Sequence, residues 1–291
     1  MPTGTVAVSV KRLTRKMPVY KRYERMIRHF EGRTFAALAS LGSALCGQTR
    51  QRIGFDRAAN EFVCDGPIPH RFAHKRRARL FLDGTLARGR ELGEDYLLGN
   101  IRFDEGDIIV DCGANIGDLG LYFAAIRKKV RMIGVEPSPV EYGLLVKNLE
   151  ANPYIEPFGV HNVALWEETA AGIAFFVKSQ TADSSIIPIA DFDQKITVSC
   201  RRLDEMLSRR PYRLLKLEAE GAEPEILRGA TGVLDCFDYV TVDAGFERGV
   251  KQETTAPEVT RFLFANGFEL IDLTPKRVTL LFRRIGLKDA S

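Results

Sequence analysis

The sequence predicts a doubly wound α/β fold: a mostly parallel seven-stranded sheet ending in an antiparallel hairpin, with a basic, partly helical extension in front of it. Three observations carry this. From Asp107 onward, β-rich apolar runs alternate with helical stretches, as right-handed crossover connections require. The last two β-rich runs lie only a few residues apart, too close for a helical crossover, so they must pair antiparallel. Charge also divides the chain: residues 1–79 hold 17 Lys and Arg against 5 Asp and Glu, whereas residues 80–291 hold 25 against 33.

Residues 1–95 read as the extension and 96–291 as the main domain. Within the extension, FAALASLGSALCG (Phe35–Gly47) is too short to span a bilayer and reads as a buried or interfacial helix. RARLFLDGTLARGRELGEDYLL (77–98) reads as helical pieces leading into the domain. DIIVDC, with apolar residues on both faces, is a buried parallel strand, followed by the helix GDLGLYFAAIRKK and the strand RMIGVE. The helix after it carries Ser138 as N-cap, Pro139 at its first position and Glu141 three residues after the cap. FGVHNVAL is the third strand. An insertion over 170–200 contains the strand-like pieces IAFFVK and ITVSC. RLLKLEAE and FDYVTVDA are the fourth and fifth strands, and GFELIDL and RVTLLFRR form the closing hairpin. Five scattered cysteines without a CxxC pair argue against a zinc site or disulfide framework and point to a reducing compartment.

The chemistry concentrates in DIIVDCGANIGDLGLYFA (107–124). In an open α/β sheet, ligands bind beyond the carboxyl ends of the strands, and the turn Asp111–Gly117 lies there. Gly113 and Gly117 permit backbone shapes closed to other residues. Glu136, 19 residues after Gly117, ends the second strand, where a carboxylate can accept both hydroxyls of a ribose. A dinucleotide site needs G-x-G-x-x-G for its pyrophosphate. Here the run is G-A-N-I-G, and Asp111 would repel phosphates. S-adenosylmethionine, with an ammonium, a sulfonium, a ribose diol and no phosphate, suits these acids better.

On the fourth strand, period-2 alternation sets Lys216, Glu218 and Glu220 on one face, near the substrate entrance, and makes Glu218 and Glu220 the first candidates for a catalytic base. Asp243 follows, at the end of the fifth strand; these three acids also form an alternative oxygen-ligand set for magnesium. Glu223, at a helix start, reads as structural. In the insertion, Asp183, Ser184 and Ser185 of SQTADSSIIP are candidates to bind substrate hydroxyls.

The motifs VDCGANIGDLGLYFA, GVEPSP, HNVALWEE and LLKLEAEGAEPEILRGA resemble the FkbM family of S-adenosylmethionine-dependent methyltransferases, within the Rossmann-like class I methyltransferase fold, over about Tyr96 to Arg284. The resemblance implies that Asp111, Gly113, Asn115 and Gly117 hold the methionine end of the cofactor. Glu136 would hold the ribose, with Pro137 and Ser138 shaping its turn, and Asn162, Ala164 and Leu165 would line the adenine. The family pattern has an aspartate where Glu218 stands. The resemblance also implies O-methylation of a hydroxyl on a sugar, a polysaccharide precursor or a natural product, and the reducing compartment read from the cysteines makes the cytoplasm the expected location. Nucleic-acid methylation is disfavoured, because EAEGAE stands where an N-P-P-aromatic motif would follow the fourth strand. The basic arm suits an acidic partner, anionic lipid (as peripheral contact at the inner membrane surface) or nucleic acid, and reads equally as a solvated basic face or a helix paired with the acidic body.

Overall fold

The computed structural model describes residues 18–46, 51–178, 184–275 and 277–287. Residues 1–17 of the basic arm and Asp183 of the insertion lie outside them. The chain forms two compact units, the first ending at Arg88 and the second beginning at Gly89.

In the first unit, helices α1 (Pro18–Ile27) and α2 (Gly32–Cys46) precede an antiparallel meander of β1 (Ile53–Asp56), β2 (Glu61–Cys64) and β3 (His70–Phe72). The sequence reading did not anticipate this meander, whose strands are only three or four residues long. Its core is a file of rings. Phe35 meets Phe62 edge-on at 5.1 Å, Phe62 stacks on Phe72 at 5.5 Å, and Phe72 stacks on Phe81 at 5.3 Å. Helix α2 turns Phe35, Ala36 and Ala39 inward, the i, i+1, i+4 spacing of one helical face.

The break between the units falls inside helix α3 (Thr85–Asp95), earlier than the expected 95/96, because Leu92, before that boundary, already joins Tyr96 and Leu98 in the core of the second unit. That unit is built on a seven-stranded sheet of β4 (Ile108–Cys112), β5 (Val130–Val135), β6 (Ile155–His161), β10 (Tyr212–Leu217), β11 (Phe237–Asp243), β14 (Phe268–Thr274) and β15 (Thr279–Arg284). The order across it is β14-β15-β11-β10-β4-β5-β6. Strands β6, β5, β4, β10 and β11 run parallel, and β15 is antiparallel to both β11 and β14. In order of appearance this is 3-2-1-4-5-7-6, the topology of the class I methyltransferase fold. The sheet is apolar on both faces. Val110, Leu215 and Val240 join one buried cluster, while Ile109, Leu214 and Tyr239 join the other, as period-2 alternation through a buried strand demands.

Helices α4 (Gly120–Ile126), α5 (Pro139–Glu150), α6 (Leu203–Met206), α7 (Glu223–Arg228) and α8 (Ala256–Ala265) fill the connections. One expectation is corrected. FGVHNVAL is not a single strand: β6 stops at His161, and β7 (Ala164–Leu165) leaves the main sheet to pair with β9 (Gln194–Arg201). The chain turns there because the Asn162 amide donates to the carbonyls of Glu136, at 2.8 Å, and Pro137, at 3.0 Å. In the insertion, β8 (Ala170–Val177) pairs antiparallel with β9, completing a small sheet of order β7-β9-β8.

Candidate functional site

The switch point lies between β4 and β10, where the strand order reverses, and the turn after β4 opens there. Gly113 (φ +75°), Asn115 (φ +50°) and Gly117 (φ +82°) all take left-handed backbone, which glycine tolerates freely and asparagine better than most residues. What each glycine makes room for is specific. A Cβ on Gly113 would stand 1.8 Å from the Glu218 carbonyl oxygen, and one on Gly117 3.1 Å from Leu145 Cδ1. Both serve the approach of neighbouring protein elements: the turn after β10 in one case and α5 in the other.

Glu136 follows β5 and is 6% exposed. Its Oε2 accepts the Asn115 N–H at 2.9 Å and its Oε1 the Ser138 N–H at 2.8 Å. Each oxygen therefore retains acceptor capacity for one further donor. Burial pushes this carboxyl up to about 7, and the nearby Glu141 adds to the rise while the two N–H donors oppose it. Pro137 and Asn162 fix the turn around it. Ala164 and Leu165 are buried and register with Cys200 and Arg201 of β9, so their side chains are core.

At the carboxyl end of β10 stands a network of charge. Lys216 is buried; its Nζ lies 3.0 Å from Asp111 Oδ1 and 3.2 Å from Glu218 Oε2, and it donates to the Gly113 carbonyl at 2.9 Å. Burial works against the Lys216 charge, but Asp111, Tyr96 and Glu218 outweigh it and hold the lysine protonated. Arg277, from the turn between β14 and β15, donates through Nη2 to Glu218 Oε1 at 2.7 Å and through Nε to Asp243 Oδ2 at 2.9 Å. The Tyr96 hydroxyl donates to the other Glu218 oxygen. Burial would raise the Glu218 carboxyl, but Lys216 and Arg277 prevail and hold it down at about 2.

This corrects the expectation for Glu218. A carboxylate bonded to a lysine, an arginine and a tyrosine, and ionised down to about pH 2, is a poor proton acceptor. Glu220 also departs from the expected alternation. β10 ends at Leu217, and the backbone is left-handed at Glu220 (φ +51°) and Gly221 (φ +96°), so the strand period does not extend to it. Asp243 is buried and committed to Arg277 and the Gly245 N–H. Burial raises its carboxyl, against the opposing pull of Arg277. Glu223 accepts the N–H groups of Ala219 and Gly221 at 2.9 and 3.1 Å and the Thr255 hydroxyl at 3.0 Å, a structural lock on this turn. In the insertion, Ser184 Oγ accepts the Lys178 N–H at 3.0 Å, and Ser185 Oγ donates to the Glu220 carbonyl at 2.9 Å. These hydroxyls close turns and dock the insertion beside the switch point.

The sequence reading missed Tyr96, Arg277 and Glu247. Neither EDYLL nor TPKR carries a signal that would single out the first two. Glu247 had one, since it follows a parallel strand at its carboxyl end. It lies on β12 (Phe246–Arg248), which pairs with β13 (Glu253–Thr254). β12 presses on the turn after β10: a Cβ on Gly221 would stand 2.5 Å from Arg248 Cα. Arg248 holds it there through Glu225, at 2.7 and 2.9 Å. Glu247 is half-buried, and burial, reinforced by Asp243, Glu218 and Glu223, pushes its carboxyl up to about 8. Among the described residues no hydrogen bond or ion pair fixes it.

The acids around the Asp111–Gly117 turn suit a cationic ligand without phosphate. Asp111 is buried, and its Oδ1 has no hydrogen-bond partner among the described residues beyond the ion pair with Lys216. Its carboxyl is raised by burial, a cost that an arriving positive charge would relieve.

Residues 111–270 match the methyltransferase FkbM domain. The chain is 26% identical over 170 residues to Methyltransferase 1 of Beauveria bassiana (strain ARSEF 2860), covering 50% of this chain and 68% of that protein. It is 25% identical over 217 residues to Methyltransferase sdnD of Sordaria araneosa, covering 62% and 81%. Among solved structures, the methyltransferase FkbM from Methylobacillus flagellatus KT superposes with a TM-score of 0.46 at 19% identity over 72% of this chain. This chain spans about half of that protein, 52%.

Proposed function

Because the chain belongs to the FkbM methyltransferase family, and so is a methyltransferase, we propose that it moves a methyl group from S-adenosylmethionine to a hydroxyl of a saccharide or natural-product acceptor. The observation that carries the cofactor reading is Glu136. It is a buried carboxylate held by two backbone N–H groups, with one acceptor position per oxygen to spare, as two ribose hydroxyls require. Asp111 and the backbone of the Gly113–Gly117 turn form the acidic cradle for the cationic methionine end. The bound cofactor supplies a methyl group on a positively charged sulfur.

The chain's own part is to align the acceptor and remove its proton. Alignment is worth up to roughly 7–11 kcal/mol and a positioned base about 10²–10⁴-fold. Lys216, Glu218, Arg277 and Asp243 form a fixed charge frame at the mouth. Glu247 is the carboxylate best suited to take the hydroxyl proton. Its raised affinity for protons makes it a stronger base than Glu218, and no described partner occupies its oxygens.

Calorimetric titration with S-adenosylmethionine tests the site. Glu136→Ala is expected to weaken binding by about 1.5–3 kcal/mol, the scale of charge-assisted hydrogen bonds. Unchanged affinity in a folded variant would refute the assignment.

A further inference from the structure

The first unit carries a feature that methyl transfer does not use. Helix α2 has no charged residue after Arg33. Its inward face, Phe35, Ala36 and Ala39, is buried, yet its outward face beyond Thr34 is apolar too: Ala37, Leu41, Ala44 and Leu45 are exposed, Leu41 by 49% and Leu45 by 71%. A helix apolar all round is ordinarily covered on every side. Helix α1 lies against it, with the Tyr23 hydroxyl donating to the Leu38 carbonyl at 2.5 Å. α1 exposes Lys21, Arg22 and Arg25 together with Met26, 49% exposed. The link between the helices exposes Phe30, and Arg33 at the start of α2 is exposed as well.

Cations flanking exposed aliphatic side chains are complementary to one kind of surface, a bilayer rich in anionic lipid. At 15 residues α2 is shorter than the roughly 20 needed to span, and among the described residues no helix is long and apolar enough to cross a membrane. A nucleic acid would engage the cations but offers nothing to Leu41 and Leu45. We propose that the α1–α2 pair is a membrane-docking element lying in the plane of an anionic bilayer surface. Leu41, Leu45, Met26 and Phe30 enter the acyl boundary while Lys21, Arg22, Arg25 and Arg33 meet the lipid phosphates. Nothing in this depends on the methyltransferase reading.

The test is co-sedimentation of the full chain with vesicles of phosphatidylglycerol and phosphatidylcholine in equal parts, against phosphatidylcholine alone. The anionic vesicles are expected to bind at least about tenfold more strongly, with the preference fading as salt rises. The double variant Leu41→Gln/Leu45→Gln changes only exposed positions, so it should keep the wild-type circular dichroism and melting temperature while losing about tenfold in vesicle binding. The variant Arg22→Glu/Arg25→Glu should lose at least as much. No preference for anionic vesicles, or anionic binding that the leucine variant leaves unchanged, would overturn the proposal. So would binding of a DNA duplex that competes fully with vesicles and ignores the leucines, which would make the surface a nucleic-acid site.

Discussion

Replacing Gly113 by alanine tests how the switch point is assembled. The added Cβ would sit 1.8 Å from the Glu218 carbonyl oxygen, where side-chain carbons essentially never come closer than 3.0 Å, so the two backbones must part by at least 1.2 Å. Two hydrogen bonds lie on that seam, Glu218 N–H to the Cys112 carbonyl at 3.1 Å and Lys216 Nζ to the Gly113 carbonyl at 2.9 Å, while the Gly113 N–H to the Val135 carbonyl at 3.0 Å ties the turn to β5 on the other side. Losing one neutral bond costs about 0.5–1.5 kcal/mol and one charged bond about 1.5–3. Holding alanine at φ +75° adds about 1 kcal/mol. The expected loss is about 3–5 kcal/mol, a large share of the 5–15 typical of whole domains. Urea denaturation followed by circular dichroism reads it. Gly143→Ala is the internal control: it lies mid-helix in α5 with nothing within 4 Å of the added carbon, so it should stabilise by about 0.5–1 kcal/mol. A Gly113→Ala protein within about 1 kcal/mol of the wild type would refute the reasoning.

Two further outcomes follow from the acids at the mouth. Glu218, held at about 2 against an ordinary 4.5, contributes stability that is present above pH 4.5 and lost as pH falls toward 2. Glu218→Gln should therefore cost about 3 kcal/mol at neutral pH, and the gap to wild type should close in acid; a pH-independent difference in denaturation midpoint would contradict this. Glu247 behaves in the opposite sense. Raised to about 8, it stabilises the fold below its ordinary range and loses that contribution as pH rises through 8. Glu247→Gln should gain stability relative to wild type in alkali while turnover falls about 10²-fold or more. Carbon-13 NMR of glutamate-labelled protein should show a carboxyl titrating near pH 8 that disappears in this variant, and its persistence would remove Glu247 from the role.

The sheet was legible because buried parallel strands and their connections obey strong local rules. The Glu136 turn was legible for the same reason: a carboxylate at a strand end has few other places to go. Strand alternation carried the reading of Lys216 and Glu218 correctly to one cluster but could not show what surrounds it. The partners that disqualify Glu218 as a base come from Tyr96, 122 residues earlier, and Arg277, 59 residues later, and no local pattern encodes such distant pairings. Glu220 was misjudged because a period-2 rule fails where the backbone turns left-handed. Ser184 and Ser185 looked like ligand groups because hydroxyls that close turns have the same composition as hydroxyls that bind sugars.

Arg277 has a consequence for the order in which the chain matures. Glu218 and Asp243 sit at neighbouring strand ends of the sheet, and the guanidinium bonded to both belongs to the hairpin turn that leads into β15. During synthesis from the N-terminus, β4, β5, β6, β10 and β11 can all be made while two carboxylates face each other at the mouth without that cation. β15 pairs with β11 along Tyr239–Asp243, so the act that seals the sheet edge is also the act that delivers the charge. The hairpin works as a keystone: Glu218 has Lys216 on its own strand from the start, but the cation shared by Glu218 and Asp243 arrives only with the last two strands, so the charge frame and the seven-stranded sheet are completed together.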